Sequence, residues 1–387
     1  MKQLFKYFVF FSVFFFISGF YRSLTSSINA NILYFFFISL NLIGTLMFGK
    51  ILLTRGENLR FLSSFFILLL SMIFNMLVID ITPFGFTMFL SHVYCIAIFF
   101  TFSNSLRSIM TIKTSQNFYN LFSYLLIINS IFIFFEGFVS GYGLANTGTL
   151  GRGDGFFSNP NHASLLLIVQ YSLFSLWSKF QHIKPIRFTK IVPFIVLLGI
   201  FGTFSKGSFA IFMVLFIYQI RSANVFYLIA SIIFLIIFLP YFNDLRYFLE
   251  FNDLIGRNTL DRVFDVNMFF DSANSRIQVI PFAISEFLNA PIFGNGLGYN
   301  YAWEFGYASH NIFLLYAVDL GIIGLLIVLY MFKQLLNNME FAIPIIVGGL
   351  FNHNILSVVE IYILISLFYV IINFDKELNI NKELDRI

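Results

Sequence analysis

The sequence is poor in charge. Only 11% of its 387 residues are Asp, Glu, Lys or Arg. A soluble domain carries roughly a quarter, because its surface must face water. A soluble globular fold is thereby excluded, and lipid is the solvent for most of the chain. Cysteine is nearly missing too. Cys95 stands alone inside an apolar run, so no intrachain disulfide can form. The five histidines (His92, His162, His182, His310, His353) are scattered, and His92 with Cys95 is the one His or Cys pair in the sequence three or four residues apart. One such pair does not make a metal site, and no serine sits in a nucleophile-elbow context. The net charge of +4 and pI near 9.0 reflect basic loops at a membrane surface rather than a nucleic-acid partner.

What fills the sequence instead is apolar. Hydrophobic residues make up 59%, the mean hydropathy is +0.86, and there are 58 Phe against 2 Trp. Phe serves chiefly as the lipid-facing apolar residue. Only helices and closed barrels cross lipid, and these runs show no alternation, so they are helices. The predicted fold is an all-α polytopic membrane protein with about twelve transmembrane helices. The spans are 4–21, 31–48, 61–80, 85–105, 118–139, 161–178, 191–204, 207–220, 225–240, 311–332, 341–353 and 355–373. Met1–Phe20 starts like a signal peptide but has a poor cleavage site, so it reads as a retained first span.

Placing the N-terminus inside and alternating puts sixteen of the 23 Lys and Arg on the inner side and seven on the outer. Four of those seven fall in one long loop, 241–309, where charge has least influence on topology. Both termini are therefore expected in the cytoplasm. The whole chain, 1–387, is read as one integral membrane domain with the 241–309 loop inserted between late spans. No internal repeat or separate soluble domain is evident.

Three outward segments break the apolar background. The first is Gly151-Arg152-Gly153-Asp154-Gly155-Phe156-Phe157-Ser158-Asn159-Pro160-Asn161-His162. Asn159 suits a helix N-cap and Pro160 the first helical position. The second is Ser205-Lys206-Gly207, a basic residue in a very short outer connection. The third runs from Ser275-Arg276 to His310-Asn311. Apolar residues at Ile277, Ile280, Ile284, Phe287 and Leu288 give it an amphipathic helix lying on the outer leaflet, with Arg276 near its start and Pro281 delaying or kinking it. Gly294-Asn295-Gly296-Leu297-Gly298 follows. It lacks the strand and helix of a dinucleotide fingerprint. Taken singly, each segment is also compatible with a turn, a snorkelling lysine or a boundary histidine.

Together the three segments resemble the O-antigen ligase/polymerase superfamily of bacterial envelope glycosyltransferases. Arg276 with Pro291-Ile292-Phe293-Gly294-Asn295-Gly296-Leu297-Gly298, His310-Asn311 with Gly321 and Gly324, and Gly155-Phe156 with Asn159-Pro160-Asn161 are similar to its motifs in order and spacing. The resemblance implies a periplasmic site in the inner membrane and an undecaprenyl-diphosphate-linked glycan as donor. The acceptor is a second glycan (polymerase) or lipid A–core (ligase). By motif position, Arg276 and Lys206 bind the diphosphate, and His310 with Arg276 is catalytic. Arg152, Asn159, Asn161, Asn311, Gly294 and Gly296 shape the pocket. No metal and no cofactor are implied. Membrane lipid, a chain-length regulator and a flippase are the further partners. The family usually has Ser-Arg where this chain has Ser205-Lys206, so phosphate would be held by a point charge rather than a fork. The polymerase reading is preferred, on that substitution and the Phe-rich composition. The rival of another class is a transporter of lipid-linked glycan or solute, with Glu136 and Asp319 as its candidate mid-span charges. A structural scaffold leaves the polar outer segments unexplained.

Overall fold

The computed structural model describes residues 1–24, 29–48, 57–79, 82–137, 154–157, 159–203, 205–220, 266–303, 309–352 and 354–384. Within these, the regular elements are all helical. They run α1 Lys2–Ile17, α2 Phe20–Leu24, α3 Ala30–Phe48, α4 Glu57–Val78, α5 Pro83–Ile109, α6 Ile112–Phe135, α7 Pro160–Trp177, α8 Val192–Gly202 and α9 Lys206–Ile220. After the break come α10 Val266–Asn289, α11 Tyr299–Ala302, α12 Ile312–Leu335, α13 Met339–Phe351, a 3₁₀ turn at Ile355–Ser357, and α14 Val359–Leu384. Eleven of the predicted spans coincide with helices; the twelfth, 225–240, lies outside the described residues. Among the described residues, five helices are long and apolar enough to cross a membrane: Ala30–Phe48, Leu59–Val78, Pro83–Ile109, Ile112–Phe135 and Ile312–Leu335. Val192–Gly202, Gly207–Gln219 and Met339–Phe351 are apolar but shorter.

Helix starts are set by local chemistry. Thr82 caps α5 by accepting from the Gly85 N–H at 2.9 Å, with Pro83 next in line. Thr111 caps α6 through the Thr114 N–H at 3.1 Å. Such caps satisfy backbone donors that have no partner inside the helix. Between helices, small polar groups act as glue. Thr45 and Ser105 hydroxyls meet at 2.8 Å, and Gln170 donates to the Ile17 carbonyl at 2.7 Å. His92 pairs with the Tyr316 hydroxyl. In a lipid solvent these contacts and close packing hold helices together, since apolar burial alone favours no partner. Phe divides between two roles. Phe35, Phe66 and Phe194 are exposed, whereas Phe16, Phe61, Phe65 and Phe102 fill the core. Part of the Phe excess is thus packing rather than lipid-facing surface.

The charged groups gather at two ends of the bundle. One rim holds Arg107–Glu377, Lys179–Glu340 and His182–Asp375. The other holds Arg22, His162 and Glu360. α5, α7, α12 and α14 all begin at this second rim, and α13 ends there.

Two expectations about the 241–309 segment change. α10 runs unbroken through Pro281, and it starts at Val266, so Arg276 sits in its middle rather than near its start. Proline costs a helix one internal hydrogen bond, and packing can compensate. Here Val279 and Ala283 flank that position and are buried against Trp303 and Val318. Residues 241–265 lie outside the described residues.

Candidate active site

At the Arg22 rim a cavity of about 560 Å³ opens among the starts of α5, α7 and α14. Its polar lining comes from Arg22, Asn159, Asn161, His162, Tyr301, His310, Asn352 and Asn354, with Thr87, Ser91 and Ser357 adding hydroxyls. Amides and hydroxyls dominate, the chemistry of a site for a hydroxylated ligand.

The α7 wall is built as its sequence suggests. Asn159 Oδ1 accepts from the Asn161 N–H at 2.8 Å, and Pro160 takes the first helical position. Upstream, the Glu136 carboxylate accepts from the backbone N–H groups of Asp154 and Gly155. Gly155 has φ +59, and a Cβ there would come within 2.9 Å of Ile133. Phe156 stacks on Phe132 with centroids 5.2 Å apart. Glu136 therefore fastens the Gly-Phe segment to α6 and delivers the chain to the cavity.

Opposite lies a buried ion pair. Arg22 Nε donates to Glu360 Oε1 at 2.7 Å and its Nη2 to Oε2 at 3.2 Å, while the Tyr21 hydroxyl donates to Oε1 at 2.8 Å. His162 Nε2 lies 3.5 Å from Arg22 Nη2. Burial penalises the arginine charge, but the Glu360 carboxylate, with smaller help from Tyr21 and Tyr34, more than offsets that penalty, and the guanidinium pKa rises further above its ordinary value. Tyr301 donates to Asn354 Oδ1 at 2.7 Å. Burial, and secondarily the Asp319 carboxylate, push its phenol well above the usual range, so it remains a neutral donor.

His310 stands at the cavity with φ 49, the one non-glycine residue among those described with a positive φ. A left-handed backbone at such a residue costs about 1–3 kcal/mol and persists only where its surroundings impose it. The next residue, Asn311, caps α12, accepting from the Phe313 and Leu314 N–H groups at 2.9 and 3.2 Å.

The remaining expected site residues are placed as follows. Gly294 and Gly296, with φ +78 and +114, dock the Pro291–Gly298 loop onto a break in α12 and are not among the residues that line the cavity. At the break Gly321 has φ 67 and ψ −158. The freed carbonyls of Val318 and Asp319 take the N–H groups of Asn295 and Gly296, at 2.9 and 3.2 Å. A Cβ at Gly294 would meet the Asp319 carbonyl oxygen at 2.3 Å. Lys206 begins α9 beside the cavity wall: the neighbouring Ser208 hydroxyl accepts from Ser164 on α7 at 2.6 Å. Arg276 lies in α10, which packs on α12. Arg152 and the side chains of Lys206 and Arg276 lie outside the described residues.

Residues 191–329 match the family model described as O-antigen ligase. The match supports the O-antigen ligase/polymerase superfamily. It spans about a third of the chain and includes Lys206, Arg276 and His310, three of the positions that carried the motif resemblance. Members of this O-antigen ligase family are glycosyltransferase-like enzymes, and the apolar helices together with the family make the chain a multi-pass membrane protein. No curated protein matches the chain.

Arg22, His162, Tyr301, Asn352 and Asn354 were not anticipated at the site. His162 directly follows Asn159-Pro160-Asn161, and Asn352 and Asn354 break an apolar stretch between two spans. Those were the available signals. Arg22 had only its place just beyond the first span.

Proposed function

We propose that the chain is a glycosyltransferase working at the periplasmic face of the bacterial inner membrane, with the Arg22 rim outward and both termini in the cytoplasm. The full count of about twelve spans and the periplasmic placing of 241–309 belong to this reading. The observation that carries it is the meeting of Asn159, Asn161 and His310, distant in sequence, in one cavity lined by amides and hydroxyls.

The donor is a glycan on undecaprenyl diphosphate. An acceptor hydroxyl oxygen attacks the anomeric carbon, the bond from that carbon to the phosphate oxygen breaks, and the configuration inverts. Negative charge develops on the departing diphosphate, where Arg276 and Lys206 stabilise it. His310 takes or aligns the hydroxyl proton, as an imidazole near neutral pKa suits. Arg152, Asn159, Asn161 and Asn311 shape the pocket, and Gly294 and Gly296 support it from the α12 break. The activated diphosphate bond supplies the driving force, so neither nucleotide nor metal is required. A chain-length regulator and a flippase are the partners such a reaction calls for.

The preferred reaction is repeat-unit polymerisation. Transfer to lipid A–core is the second reading, favoured by the ligase description of the matched family. Deleting the gene in its own host separates them. Glycans cut to one repeat indicate a polymerase, unattached long chains indicate a ligase, and wild-type length with wild-type attachment refutes both.

A further inference from the structure

Resting on the catalytic role given to His310, we propose that Asn300 and Asp319 are positioning residues that impose the left-handed backbone of His310 and thereby aim its imidazole. A series of hydrogen bonds links the α12 break to that histidine. Asp319 is fully buried within α12, two residues before Gly321. Its Oδ2 accepts from the Gly298 N–H and its Oδ1 from the Asn300 N–H, both at 2.9 Å. One carboxylate thus fixes two backbone positions at the start of α11, its cap Gly298 and its second residue Asn300.

Asn300 is also fully buried, and its side chain passes the constraint on: Oδ1 accepts from the Ser309 N–H at 2.8 Å. The Ser309 hydroxyl donates to the Asn311 carbonyl at 3.2 Å, while the Asn311 side chain is tied to the start of α12. His310 is therefore the residue between two anchored neighbours, and the φ of 49 is the consequence. A buried carboxylate in an apolar span is costly unless it is hydrogen-bonded. Here its two oxygens hold the catalytic turn, which gives Asp319 a purpose other than carrying an ion or a proton across the bilayer.

The test uses the purified full chain in lipid nanodiscs, treated with diethyl pyrocarbonate. Acylation of His310 and of His162 is followed separately by peptide mass spectrometry, with His162 reporting whether the cavity is otherwise intact. In Asn300→Ala the His310 rate is expected to shift while the His162 rate stays at the wild-type value. Transfer from extracted lipid-linked glycan should lose about 10²-fold in kcat with KM for the donor little changed, the cost of a catalytic group misplaced by about an ångström. If Asn300→Ala disturbs the whole cavity, the His162 rate reveals it, and Asp319→Asn, which keeps the shape but leaves one of the two backbone N–H groups without its carboxylate acceptor, then decides the matter by the same two rates. A His310 rate unaltered in a variant with an intact cavity overturns the proposal. Retained transfer in His310→Ala would refute the catalytic role of that histidine, a result independent of the acylation rates.

Discussion

His310 is held in a left-handed backbone conformation, with φ 49. Replacing it with alanine should leave the membrane level of the protein near wild type, because the side chain is not part of the buried core. Product formation should fall by about 10²–10⁴-fold, the usual loss when a general base is removed. Quantifying glycan by gel alongside an immunoblot of the protein checks both halves. Arg276→Ala should abolish product at normal protein level, whereas Lys206→Arg should retain activity, since a guanidinium keeps the charge and adds a fork. Arg22 and Glu360 behave differently. Truncating Glu360 to alanine strands a largely buried guanidinium, and breaking such a pair costs about 3–5 kcal/mol. Thermal unfolding in detergent should show Glu360→Ala markedly less stable than wild type. Removing both partners together should be milder than the sum of the single changes.

At the scale of elements, the break in α12 and the loop it receives are fitted backbone to backbone. A Cβ at Gly85 would lie 2.1 Å from the Leu297 carbonyl oxygen, and one at Gly321 would lie 2.3 Å from that of Ile292. Gly321→Ala adds a left-handed backbone to that clash. It should lower the melting temperature and the amount of folded protein, whereas Gly207→Ala, whose Cβ would find its nearest neighbour at 3.8 Å, should be tolerated. Size-exclusion profiles of the two variants provide the comparison. This scale also shows what could be read in advance. The Asn159 cap and the helix starting at Pro160 were legible because each depends on residues within one turn, whereas Asn311 was singled out by its motif and its cap came from the structure. The Arg22–Glu360 pair was not, because its partners are 338 positions apart and no local pattern marks either. Pro281 misled for a related reason: proline's local cost is visible in sequence, but the packing of Val279 and Ala283 against Trp303 is not.

For the whole molecule, the alternation of helices and the separation of charges into two rims follow from the same constraint. A charged side chain inside lipid is costly unless it is paired or hydrogen-bonded, as the Asp319 carboxylate is, so the ion pairs stand at the ends of the bundle. The rim with Arg107, Lys179 and His182 is expected at the cytoplasmic face, in keeping with the excess of basic residues there. Reporter fusions made after residue 190 and after residue 387 should both be active as cytoplasmic reporters. A fusion at 150, the segment leading to Gly155 and α7, should be active only as a periplasmic one.

The most direct test of the account is transfer in a defined system. Purified protein in proteoliposomes, supplied with lipid-linked glycan extracted from its host, should extend or attach that glycan with release of the polyprenyl diphosphate. His310→Ala protein, equally folded, should not. Equal product from the wild type and from His310→Ala would contradict the assignment of the cavity at the Arg22 rim as the place where the glycosyl bond is made.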